Sequence, residues 1–139
     1  MTALLLLGLG LKVHLTEVTL EADLEIHLGE DCYVGLSGVE DGRANLCGLF
    51  RKRPSVKARR EGLLFAYLRA CGLGALAERA ETAAPDPASH CGVSGIAFGE
   101  AGSAGPALAL GDSHSVIPPF TGNGMSMAFE SAGLAAGPL

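Results

Sequence analysis

The sequence predicts an α/β (α+β) fold: an antiparallel sheet, a pair of helices, then a strand, a loop and a last helix. Three observations predict it. Between Leu20 and Phe50, apolar residues alternate with polar or small ones and are interrupted by two turn signals. Between Leu63 and Cys71, apolar residues recur at helical spacing. From Ala107 to Ala132, a short apolar run leads through a proline-containing loop to two glycines and a second helical pattern. Strands grouped first and helices after them point to α+β organisation.

The chain has 139 residues, enough for a domain with its own core. With 48% hydrophobic and 18% charged residues it is not a disordered polypeptide. A net charge of −5 argues against nucleic acid or an anionic membrane as a main partner. Cys32, Cys47, Cys71 and Cys91 have no C-x-x-C spacing and read as reduced thiols in a cytoplasmic protein. A Cys32–Cys47 cross-strand disulfide is the minor alternative. The N-terminal run Ala3–Leu11 is too short for a bilayer, which needs about 20 residues. It lacks a basic flank and a cleavage site, so it reads as a buried strand continuing to Leu15.

The elements follow in order. Leu20, Ala22, Leu24, Ile26 and Leu28 define an apolar face, with Glu21, Asp23, Glu25 and His27 on a wet one. Gly29-Glu30-Asp31 turns the chain. Cys32, Val34 and Leu36 then alternate with Tyr33, Gly35 and Ser37. Glu40-Asp41-Gly42 carries a hairpin signal, and Ala44, Leu46, Gly48 and Phe50 form a third strand. Arg51-Lys52-Arg53 and Arg59-Arg60 read as a solvated basic patch, with an acidic substrate or cofactor phosphate as the sharper reading.

Pro54-Ser55 starts a helix whose apolar face is Leu63, Leu64, Tyr67, Leu68 and Cys71. Gly72 to Ala77 matches G-x-G-x-x-A, but a helix rather than a strand precedes it, so it is a break between two helices. Ala75 to Thr82 is the second helix, and 83–89 is a loop. His90 to Phe98 is a further strand, and Gly99 to Gly105 a flexible lead into a strand at Ala107–Leu110. The four histidines stand singly, which predicts no metal site. His114 reads as a loop residue without a catalytic part.

The stretch from Leu110 to Ala132 is the richest in chemistry. Gly111-Asp112 places a carboxylate at the end of a strand, where open α/β sheets hold ligands. Pro118-Pro119 keeps the loop from being helical. Gly122-Asn123-Gly124 opens a helix with Met125, Ala128, Phe129 and Ala132 on one apolar face. Glycines ahead of a helix leave backbone N–H groups free to face a ligand, and the helix dipole adds positive potential there. A phosphate or the electron-rich edge of a flavin suits such a site. An ordinary glycine-rich loop is the plainer reading.

This string resembles the third FAD-binding motif of the flavin-dependent monooxygenase and geranylgeranyl-reductase-like family, which shares the p-hydroxybenzoate hydroxylase fold. The family pattern G-D-x5-P-x3-G-x-G-x3-A-x3-A falls on Gly111, Asp112, Pro118, Gly122, Gly124, Ala128 and Ala132. The resemblance implies FAD as cofactor, with Asp112 bonded to the ribityl chain. It implies that the backbone of Gly122, Asn123, Gly124 and Met125 caps the pyrimidine edge of the isoalloxazine ring. It further implies that residues 1–106 belong to a substrate-side middle region and 107–139 to the C-terminal part of an FAD-binding domain. The sheet would then form a substrate wall for a small molecule. The family's initial G-x-G-x-x-G unit has no counterpart, since Gly8-Leu9-Gly10 is followed by Val13 where the third glycine belongs. The chain therefore reads as a C-terminal piece with an incomplete FAD site. The competing expectation is a non-catalytic remnant, or one half of a split protein whose partner polypeptide supplies the nucleotide-binding half.

Overall fold

Two tight turns set the register of the sheet. Glu30 and Asp31 alone join β2 (Leu24–Gly29) to β3 (Cys32–Gly38), and Asp31 adopts φ 56° to close the hairpin. A single 3-10 turn at Glu40–Gly42, with Asp41 at φ 61° and Gly42 at φ 68°, joins β3 to β4 (Ala44–Arg51). Positive φ at Asp41 and Gly42 turns the chain back on itself within this short loop. The computed structural model describes residues 8–96, 98–100, 108–117 and 122–137. The architecture is α+β.

The chain divides into two units, Leu7–Ile96 and a second holding Ala97–Leu139. In the first, β1 (Gly8–Leu15) and β5 (Cys91–Ile96) complete a five-stranded antiparallel sheet of order β2-β3-β4-β1-β5. The part of the N-terminal run before Gly8 lies outside the described residues. Helices α1 (Arg60–Ala70) and α2 (Gly74–Thr82) cover one face of the sheet. Gly72, at φ +82°, reverses the chain between them, so the G-x-G-x-x-A match is a helix break.

The register places Leu11, Val13 and Leu15 of β1, Leu46 and Phe50 of β4, and Val34 and Leu36 of β3 on the helix-covered face. They pack with Leu64, Phe65, Tyr67, Leu68, Leu76, Ala77 and Ala80 into one core. Phe50 and Tyr67 meet at 5.4 Å between ring centroids. Helix α1 begins at Arg60, later than Pro54-Ser55 suggested. Residues 53–56 form a turn instead, closed by the Val56 N–H on the Arg53 carbonyl at 3.1 Å, and Val56 packs on the core.

β2 corrects the expected polarity of its alternation. Leu24, Ile26 and Leu28 are exposed, whereas Glu25 is only 8% exposed. The period of 2 is right and the inward face is the opposite one. Arg79 of α2 supplies the cause, since its guanidinium grips both Glu25 carboxylate oxygens at 2.7 and 2.8 Å and also donates to the Thr19 carbonyl. The strand also starts at Leu24 rather than Leu20. The Glu21 N–H donates to Glu25 Oε1 at 2.8 Å, curling the chain just ahead of it.

Gly29 shows how tightly the first hairpin sits on α1. A Cβ there would lie 2.5 Å from the Cys71 carbonyl oxygen and 2.8 Å from Cys32 Sγ. That carbonyl already accepts the Glu30 N–H at 2.9 Å. Gly29→Ala is therefore expected to force a backbone shift costing about 2 kcal/mol. The urea midpoint should fall with the slope unchanged. A midpoint equal to wild type would show that the hairpin lifts off α1 without cost.

In the second unit, β6 (Gly99–Glu100) pairs antiparallel with β7 (Ser115–Val116), and α3 (Gly124–Ala136) follows. Leu108 to Leu110 form no strand, because no partner strand lies beside them among the described residues. Ala107 and the expected flexible stretch 101–105 lie outside those residues.

Candidate functional site

The Leu110–Ala132 segment builds a small platform. A single 3-10 turn, Gly111–Ser113, is held by the His114 N–H on the Gly111 carbonyl at 2.9 Å. Gly111 has φ +57°, and a Cβ on it would stand 3.2 Å from the Ala128 Cβ. Two small residues of the family pattern thus touch each other, and their size lets the turn lie against α3. Gly124 lies beside Ile117, whose Cγ1 would be 3.9 Å from an added Cβ. The start of α3 and the 111–117 segment form one contiguous surface. His114 caps the 3-10 turn.

Among the described residues, no side chain caps the N-terminus of α3. Asn123 occupies the cap position without a side-chain hydrogen bond, and the first helical bond runs from the Met127 N–H to the Asn123 carbonyl at 2.9 Å. The N–H groups of Gly124, Met125 and Ser126 therefore lie ahead of the helical ladder. Gly122 reaches φ +68°, and no described residue lies within 4 Å of where a Cβ would be. Asp112 is exposed. Pro118 lies outside the described residues. The structure thus brings Gly111, Asp112 and Gly124 onto one surface, with Gly122, Asn123 and Met125 adjoining along the chain.

The expected apolar face of α3 is corrected. Met125 is 76% and Phe129 77% exposed, and the half-covered positions are Gly124, Ala128 and Ser131. Small residues face the 111–117 segment because the close approach at Gly111 admits nothing larger.

These residues fit the ring and ribityl end of a flavin. Uncapped N–H groups at a 13-residue helix suit an electron-rich edge, and an exposed carboxylate suits hydroxyl groups.

The open face of the five-stranded sheet is the second candidate surface. The register gathers Leu24, Ile26, Tyr33, Gly35 and Leu49 there, with Gly10 on the neighbouring strand. It also carries Asn45, whose Oδ1 is buried with no hydrogen-bond partner among the described residues. Sequence reasoning missed Asn45. An amide in a strand of apolar and small residues was the available signal.

The basic cluster after β4 is structural at its centre. Arg53 donates to the carbonyls of Ala70 at 2.7 Å and Glu30 at 3.0 Å, while its own N–H bonds the Tyr67 hydroxyl at 3.0 Å. It ties the β2–β3 turn to the end of α1. Arg51 pairs with Asp31 at 3.7 Å. Cys32 and Cys47 lie on opposite faces of the sheet, which excludes the cross-strand disulfide. Burial, with Cys71 beside it, pushes the Cys32 thiol up to about 11, so it is protonated at neutral pH and a poor nucleophile. Among the described residues no group of three His, Cys, Asp or Glu could hold a metal, and no helix is long and apolar enough to cross a membrane.

No protein-family model matches the chain, and no curated protein matches it. Solved structures do. A variant of HpxO from Klebsiella pneumoniae, complexed with FAD, is similar with a TM-score of 0.59 and 19% identity over 90% of this chain and 34% of that one. HpxO of the same organism, complexed with FAD and uric acid, is similar with a TM-score of 0.56 and 18% identity over 90% of this chain and 33% of that one. The chain spans about a third of the length of these proteins. What it shares with them is the fold of that third.

Proposed function

We propose that the chain is the substrate-side and ring-side part of a cytoplasmic FAD-dependent oxidoreductase of the monooxygenase or geranylgeranyl-reductase-like type. One observation carries this reading. The string from Gly111 to Ala132 folds as a turn that carries the exposed Asp112 and packs on a helix with no side-chain cap at its N-terminus among the described residues. The FAD-bound state of the similar structures supports it. When bound, FAD would supply the redox chemistry through its isoalloxazine ring. The backbone of Gly122 to Met125 would hold the pyrimidine edge and Asp112 the ribityl chain. The open sheet face would carry the small-molecule substrate side.

The test is a titration of FAD into the chain, followed by fluorescence quenching. Asp112→Ala is expected to weaken binding at least about tenfold, the loss of one charge-assisted hydrogen bond. Equal affinity in that variant would remove Asp112 from the site.

A second reading has its own observation. Leu24, Ile26 and Leu28 on the sheet, and Met125 and Phe129 on α3, are exposed apolar side chains. As one half of a split protein, the chain would bury such surfaces against a polypeptide carrying the nucleotide-binding βαβ unit. Tight FAD binding by the chain alone would argue against that reading.

A further inference from the structure

On the helix-covered side of the sheet, between α1, the edge strand β5 and its neighbour β1, lies a cavity of about 260 Å³. It lies wholly within the first unit and shares no residue with the flavin platform. We propose that it binds a small aliphatic carboxylate. Its inner wall is apolar, made by Leu11, Leu63 and Leu64. Its polar side chains are those of Arg60 and His90, and no carboxylate lines it among the described residues. Lys12 borders it through its backbone, its side chain belonging to the open face.

Both Arg60 and His90 are held in place before any ligand arrives. Arg60 donates through Nη2 to the His90 carbonyl at 2.7 Å. That bond fixes the guanidinium at the mouth and leaves Nε and Nη1 without a partner among the described residues. The His90 side chain lines the cavity, is only 6% exposed over the whole residue, and stands edge-on to Phe65 with ring centroids 6.2 Å apart. Its ring nitrogens make no hydrogen bond among the described residues. An anion in the cavity accepts from the free Arg60 donors and from the His90 ring N–H together.

The apolar wall decides the rest of the ligand. A bare inorganic anion would leave Leu11, Leu63 and Leu64 facing water, whereas an alkyl tail covers them. The volume falls below the roughly 300–1,000 Å³ typical of sites for drug-sized ligands, so the tail is short. A guanidinium suits a carboxylate head through paired N–H donors.

The experiment is an NMR titration of the whole chain with hexanoate, hexanamide and inorganic phosphate. Hexanoate should move the His90 ring protons saturably and bind about tenfold or more tightly than hexanamide. Arg60→Met should weaken hexanoate by a similar factor and leave hexanamide unchanged. The hexanoate–hexanamide comparison on the unaltered chain stands even if Arg60→Met disturbs the fold. Equal affinity for hexanoate and hexanamide would overturn the proposal, as would no saturable shift at His90. Phosphate binding more tightly than hexanoate would overturn the ligand class.

Discussion

Replacing Arg79 by Ala is expected to destabilise the chain by about 3 kcal/mol, a large share of the 5–15 kcal/mol that ordinarily separates folded from unfolded protein. The substitution leaves the buried Glu25 carboxylate without its guanidinium, held only by the Glu21 N–H at 2.8 Å and the His27 ring at 3.2 Å. That cost exceeds what the pair contributes, because a buried charge keeps its desolvation penalty and loses most of its compensation. The value lies at the low end for broken buried pairs, since the Arg79 side chain is 28% exposed. The pH dependence separates this cause from mere loss of packing. In the wild type, the Arg79 guanidinium holds Glu25 down at about 2 from its ordinary 4.5. A carboxylate lowered on folding contributes stability above pH 4.5 that is lost as the pH falls from 4.5 towards 2. Without Arg79, burial instead favours the neutral acid. The gap between the variant and wild type should therefore narrow as the pH falls through that window. Urea midpoints measured across it check this, and a gap that stays constant would mean that Glu25 does not carry the effect. Glu25→Leu combined with Arg79→Met should recover most of the loss, because an apolar pair needs no desolvated charge.

The same residues show what could be read in the sequence. The alternation, both turns and the helix break at Gly72 are local signals; the turns and the break appear in the fold, and the alternation appears as strands from Leu24 onward. The inward face of β2 is not local. It depends on Arg79, 54 residues away from Glu25, and no window along the chain contains both. Hydrophobicity alone chose the wrong face because an ion pair reversed the usual cost of burying a carboxylate. The candidate flavin surface was legible for a different reason. Its glycines and alanines answer to backbone geometry, as at Gly111 against Ala128, and such constraints are written directly in residue type. The cavity beside His90 was not legible, because Leu11, Arg60 and His90 meet only through the pairing of β1 with β5 and the packing of α1.

The second large effect is expected at Phe50. Phe50→Ala should cost about 3–5 kcal/mol, the range for removing a fully buried aromatic ring. Phe50 is 1% exposed and meets Tyr67 at an interplanar angle of 50°. Its ring also lies over its own strand, where a Cβ at Gly48 would come within 2.6 Å of Cζ and 2.7 Å of Cε2. Gly48 is therefore a glycine because Phe50 is a phenylalanine. Gly48→Ala alone should destabilise by about 2 kcal/mol, since the ring has to leave its well. In the Phe50→Ala background the clash with the ring is absent, and only Val34 Cγ2, 3.0 Å from the new Cβ, remains to give way. The double variant should then be at least about 1 kcal/mol more stable than the sum of the two losses implies, a coupling of the size seen between residues in contact. Chemical denaturation of the four proteins measures the cycle. Strict additivity would mean that the ring does not occupy the space above Gly48 in solution, and the packing of β4 against α1 would have to be redrawn.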